Sequence, residues 1–155
     1  MIQRIQSLYL LFVVVFVAAL YSIPSGIFDD GAFNISHLVM KGIVKQTSEG
    51  SVLVEPKNLF VILSVISLFL AIAAIFLFKN RPLQIKLCWA LIFSLTILFI
   101  YVVVNVLMIK SSGVYAIVNF GKGAALPIIS VLPAFMAIRA IKKDDDLVKS
   151  VDRLR

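Results

Sequence analysis

Charge is what this sequence has least of. Asp, Glu, Lys and Arg make up 15% of the 155 residues and apolar types 61%, against about 25% charged in an ordinary soluble domain. So small a polar supply cannot cover a surface in water, which excludes water as the chain's main solvent. The single cysteine, Cys88, excludes an internal disulfide and any Cys-x-x-Cys chemistry. The single histidine, His37, has no Cys or His at metal-ligand spacing, and Asp29 and Asp30 precede it by at least seven residues, so no metal site is expected. No serine lies in a motif with a histidine, and Gly121, Lys122 and Gly123 are too short a run to cradle a phosphate. No cofactor and no enzymatic activity are expected.

What is present is a set of four long apolar runs. A hydrocarbon layer of about 30 Å needs about 20 helical residues per crossing. Marked by where the charges stop, the runs are 5–23, 59–78, 87–109 and about 124–141. They predict an all-α membrane protein, a single four-transmembrane-helix bundle. Residues 114–120 are assigned to the outer interface, ahead of the fourth span. The first run has an n-region-like start at Arg4, but residues 19–24 offer no small-x-small cleavage site, and it is retained as an anchor.

Orientation follows from the cations. With both ends inside, the inner side holds Arg4, Lys79, Arg81, Lys86, Arg139, Lys142, Lys143, Lys149, Arg153 and Arg155, and the outer side Lys41, Lys45, Lys57, Lys110 and Lys122. This is the bias of the positive-inside rule, and it predicts a multi-pass protein of the bacterial inner membrane with both termini cytoplasmic. The net charge of +7 is thereby read as topology and headgroup attraction. No nucleic-acid partner is expected, because the cations cap apolar runs and do not form a stripe with exposed aromatics.

The outer loop, 24–58, contains two β-prone runs, 42–45 and 51–54, separated by Thr47, Ser48, Glu49 and Gly50. They predict a small hairpin resting on the membrane or on the helix ends, since a lone hairpin is marginal in water. The tail, 142–155, opens with Asp144, Asp145 and Asp146 and closes with Arg153 and Arg155, with Leu147, Val151 and Leu154 along one edge. Acids first and cations last suit a helix dipole, so a short amphipathic helix starting there is expected, able to lie on the leaflet or dock on a protein. Arg81, Lys86, Leu147, Lys149, Val151, Arg153, Leu154 and Arg155 are therefore the candidate contacts to a partner or to anionic lipid.

Helices in lipid associate through small side chains. Ser64, Ser67, Ala71 and Ala74 in the second run, and Gly123, Pro127, Ser130, Ala134 and Ala137 in the fourth, recur at three and four residues. Both stripes are expected to face the interior, or alternatively a homo-oligomer seam, while Leu98 is expected to face lipid. No run carries an acid, His or Lys at mid-membrane, where a transporter or proton relay keeps one. An oligomeric transporter or channel is the alternative function, with Pro133 and Asn105 as its assets.

Three segments carry a family resemblance: the opening 1–10, residues 78–87 with Lys79, Asn80, Arg81, Pro82 and Lys86, and the ending 141–155. With them the chain resembles an uncharacterised "domain of unknown function" family of small four-span inner-membrane proteins from Bacteroidota. The resemblance implies architecture and location and brings no catalytic residues. The expected function is a non-enzymatic membrane scaffold or accessory subunit, whose cytoplasmic face binds a membrane or cytoplasmic protein or anionic lipid.

Overall fold

The computed structural model describes residues 3–29, 35–47, 50–78, 80–115 and 117–153. Along the chain they form α1 (Gln3–Ala19), β1 (Gly26–Asp29), β2 (Ile35–Val39), β3 (Gly42–Thr47), β4 (Gly50–Pro56), α2 (Asn58–Phe76), α3 (Arg81–Ser111), β5 (Ile117–Phe120), a 3-10 turn (Lys122–Ala125) and α4 (Leu126–Arg153). The expected all-α class is wrong. The protein is α+β, with a five-stranded antiparallel sheet in the order β4-β3-β2-β1-β5 beside its four helices.

The sheet was hidden for a physical reason. The β3–β4 hairpin has a local turn signal, whereas β1 pairs with β5 from across two helices, Gly26 opposite Phe120 and Asp29 opposite Ile117. Residues 114–120 look like an apolar prelude to the fourth span, yet Gly113 takes a positive φ of 67° and breaks the chain away from α3. The β-prone Ile117, Val118 and Phe120 then follow as a strand.

The sheet is seated on the helix ends. Gly26, Phe28, Ser36, Leu38 and Ile43 are buried on one face, and Phe28, Leu38 and Ile43 belong to the same apolar core as the helices. The Phe28 ring lies 5.4 Å from that of Tyr115. Glycines permit the closest approach: Gly121 donates its N–H to the Ser25 carbonyl at 3.0 Å and Gly123 to the Pro24 carbonyl at 2.9 Å. A β-carbon on either residue would collide with the backbone at Ile23–Ser25.

The helices pack as neighbours, α1 against α2 and α4, and α3 against α2 and α4. Their buried positions recur at three and four residues: Gln6, Leu10, Val13, Val17 in α1; Phe60, Ser64, Ser67, Ala71, Ala74 in α2; Gln84, Cys88, Leu91, Leu95, Leu98, Val102, Val106 in α3; Pro127, Ser130, Ala134, Ala137, Ile141, Asp144 in α4. This is the spacing of side chains meshing between nearly parallel axes. Leu98, expected on the lipid side, is fully buried. Large apolar side chains such as Phe69, Phe76, Phe93 and Leu132 point outward. Three stretches, Asn58–Phe76, Arg81–Ser111 and Lys122–Leu147, are long and apolar enough to cross a membrane, and Ile5–Ala19 is a shorter apolar helix.

Helices α3 and α4 also extend beyond the apolar runs. Asn80 caps α3, its side chain accepting from the Leu83 N–H at 3.4 Å with Pro82 in the first turn, so the helix begins at Arg81, ahead of the apolar run that opens at Leu87. A separate tail helix is likewise contradicted, because α4 runs unbroken from Leu126 to Arg153. No glycine or proline follows Pro133 to stop it.

Candidate functional site

The start of α1, the α2–α3 turn and the far half of α4 meet at the end of the helices opposite the sheet. Polar side chains bind all four helices there. Arg81 at the head of α3 places Nη2 3.0 Å from Asp144 Oδ2 of α4, and its Nη1 donates to the Asp144 carbonyl at 2.7 Å and lies 3.9 Å from Asp145 Oδ1. Gln84, one turn on, donates from Nε2 to the Ala74 carbonyl at 2.8 Å. That carbonyl belongs to the last turn of α2, where the helix no longer supplies donors. Gln6 of α1 completes the set, donating to the Ala140 carbonyl of α4 at 3.4 Å.

The acids 144–146 therefore do not begin a helix. Asp144 lies inside α4, is almost wholly buried, and has its charge met by Arg81. Pairing is what permits a carboxylate to be buried at that depth.

The residues singled out from sequence fall into distinct places. Arg81 is turned inward by its ion pairs, while Lys86 on α3 and Leu147 on α4 are exposed. Lys149, Val151 and Arg153 continue the α4 backbone, but their side chains, and all of Leu154 and Arg155, lie outside the described residues. Ser64, Ser67, Ala71 and Ala74 are buried in α2, and Gly123, Pro127, Ser130, Ala134 and Ala137 are buried in the 3-10 turn and α4. Ser67 and Ser94 link α2 to α3, their hydroxyls 2.8 Å apart. Ser64 and Ser130 return their hydrogen bonds to the carbonyls of Phe60 and Leu126. Asn105 does likewise with Tyr101, at 2.9 Å.

Sequence reasoning missed Gln6 and Gln84. Both extend a three-and-four register already visible: Gln6 precedes Leu10, and Gln84 precedes Cys88, each by four residues. It also counted Arg139, Lys142 and Lys143 for topology alone. Those three are exposed on one stretch of α4, beside an open groove of about 400 Å³ between α1 and α4. The Arg139 guanidinium sits 4.8 Å from the centre of the Phe135 ring.

No curated protein matches the chain. The family model described as "Domain of unknown function (DUF4293)" matches residues 2–154, and the chain belongs to that family.

Proposed function

We propose that the protein is a non-enzymatic scaffold or accessory subunit of the bacterial inner membrane, crossing it four times with both termini and the α2–α3 turn in the cytoplasm and the sheet outside. Its cytoplasmic end docks another protein. The observation that carries this reading is the continuity of α4, which runs from Leu126 through the charged residues 142–146 to Arg153 without a break. The Arg81–Asp144 pair fixes that extension at its base, so the last turns form a helical arm that continues from the buried core. A loose tail would give up more conformational entropy on docking than such an arm does.

The cation bias supports the orientation, because the α2–α3 turn and the arm are rich in Lys and Arg. Outward-facing Phe69, Phe93 and Leu132 suit lipid contact. Crosslinking in native membranes followed by purification tests the docking role. The full chain is expected to capture a defined protein that a chain lacking 148–155 does not capture, with both forms inserted. Undiminished capture by the shortened chain would overturn the docking role of the arm.

A further inference from the structure

We infer that the groove between α1 and α4 is a binding site for one anionic phospholipid, its phosphate held between Arg139 and Lys143 and an acyl chain lying along the apolar floor. The inference rests on the membrane placement proposed above and adds to it a specific ligand and site.

The groove combines the two chemistries such a lipid carries. Its volume is about 400 Å³, and its walls include Ile5 from α1 and Met136, Ala140 and Leu147 from α4. These apolar residues suit a hydrocarbon chain. Arg139 and Lys143 line the same groove, and at four residues apart they stand one above the other on one face of α4, about 6 Å apart at their β-carbons. A phosphodiester spans that interval, its two unesterified oxygens facing the planar guanidinium fork and the compact ammonium. Tyr9 lines the groove from α1 and brings a hydroxyl that donates to phosphate or glycerol oxygens.

The cations are arranged to be available. Among the described residues, the acids just beyond them on α4 turn away: Asp144 and Asp145 face Arg81. Asp146 is the one acid that shares the adjoining hollow with Arg139, Lys142 and Lys143, which leaves the patch with a net positive charge. The Phe135 ring, 4.8 Å from the Arg139 guanidinium, helps to hold that side chain in place.

The chemistry selects among candidates. A soluble phosphate gains nothing from the apolar floor, and a zwitterionic lipid would bring its own cation toward three others. An anionic phospholipid satisfies both parts. Its attachment weakens with ionic strength, since the patch is exposed.

The test uses the full chain purified in a neutral detergent, with bound lipid counted by native mass spectrometry. Phosphatidylglycerol, phosphatidylcholine and glycerol phosphate are each titrated. Phosphatidylglycerol is expected to bind at least about tenfold more tightly than phosphatidylcholine, with no binding of glycerol phosphate. Arg139→Gln with Lys143→Gln is expected to weaken phosphatidylglycerol by about twenty-five-fold, the product of about fivefold per cation. Met136→Trp, which fills the floor, weakens it without a change in charge, and Lys142→Gln has an effect of about fivefold or less. Equal binding of the two lipids, glycerol phosphate binding as tightly as phosphatidylglycerol, or unchanged affinity in both groove variants would overturn the site. Carbonate-resistant insertion is scored for every form. Loss of lipid preference in an inserted protein overturns this site alone, whereas failure of the parent chain to insert overturns the membrane reading beneath it.

Discussion

Arg81 at the head of α3 and Asp144 in the far half of α4 lie 63 residues apart in sequence and meet across the α3–α4 interface. Nη2 lies 3.0 Å from Oδ2, and Nη1 donates to the carbonyl of the same aspartate at 2.7 Å. The guanidinium thus reads both the side chain and the backbone of one residue. That double contact sets how far α4 can slide along α3.

Breaking the pair leaves a charge or a donor cluster without its partner at a largely buried position, with side chains 21% and 13% exposed. Removal of one member of a buried pair costs about 3–5 kcal/mol. Asp144→Asn is expected near the lower end of that range, and Asp145→Asn, whose contact is 3.9 Å, at well under half of it. Unfolding in mixed micelles over a denaturant series measures both.

The small-residue seam gives a second prediction. Ser67→Phe and Ala134→Phe overpack buried positions and should each cost about 1–3 kcal/mol. Leu98→Phe should cost as much, because Leu98 is buried in α3, while Phe93→Leu, at a side chain 70% exposed, should be nearly neutral. Thermal unfolding in detergent ranks the four. Ser67→Ala tests the hydroxyl link to Ser94, for which about 0.6 kcal/mol is typical of hydrogen bonds between membrane helices.

The helices were readable because their signal is local and repeated. Ser64, Ser67, Ala71 and Ala74 announce a face by spacing alone, and all four are buried. Leu98 was misjudged because leucine suits lipid and core equally, and only the register continuing from Cys88 through Leu91 and Leu95 places it inside. The sheet was mostly illegible. β1 and β5 are short, separated by more than eighty residues of chain, and paired by the way the helices bring them together. Asp144 was legible as an acid but not as a partner, since nothing near it in sequence names Arg81.

The junction between sheet and helices offers a third prediction. Gly121 lies where a β-carbon would strike the Pro24 carbonyl, so Gly121→Val must displace the strand connection. A loss of about 1–3 kcal/mol is expected. Gly50→Ala, in open space but at a φ of 134°, should cost less, about 1 kcal/mol. Both are read by thermal unfolding.

Shortening the arm at two points separates docking from stability. Removal of 148–155 keeps Asp144 and should leave unfolding unchanged within about 0.5 kcal/mol. Removal of 144–155 takes away the side-chain and carbonyl partners of Arg81 together and should lower stability by at least as much as Asp144→Asn. Equal stabilities for the two truncations would show that the pair contributes nothing.

Sidedness is tested most directly by labelling engineered cysteines in intact cells with a membrane-impermeant maleimide. The background is Cys88→Ala, with a cysteine placed either at Ser51 in β4 or at Lys142 in α4, both exposed positions. The expected result is labelling at position 51 in intact cells, and at position 142 only after the membrane is opened. Labelling at 142 in intact cells, or equal labelling at both positions without permeabilisation, would contradict the placement of the arm and the lipid groove in the cytoplasm.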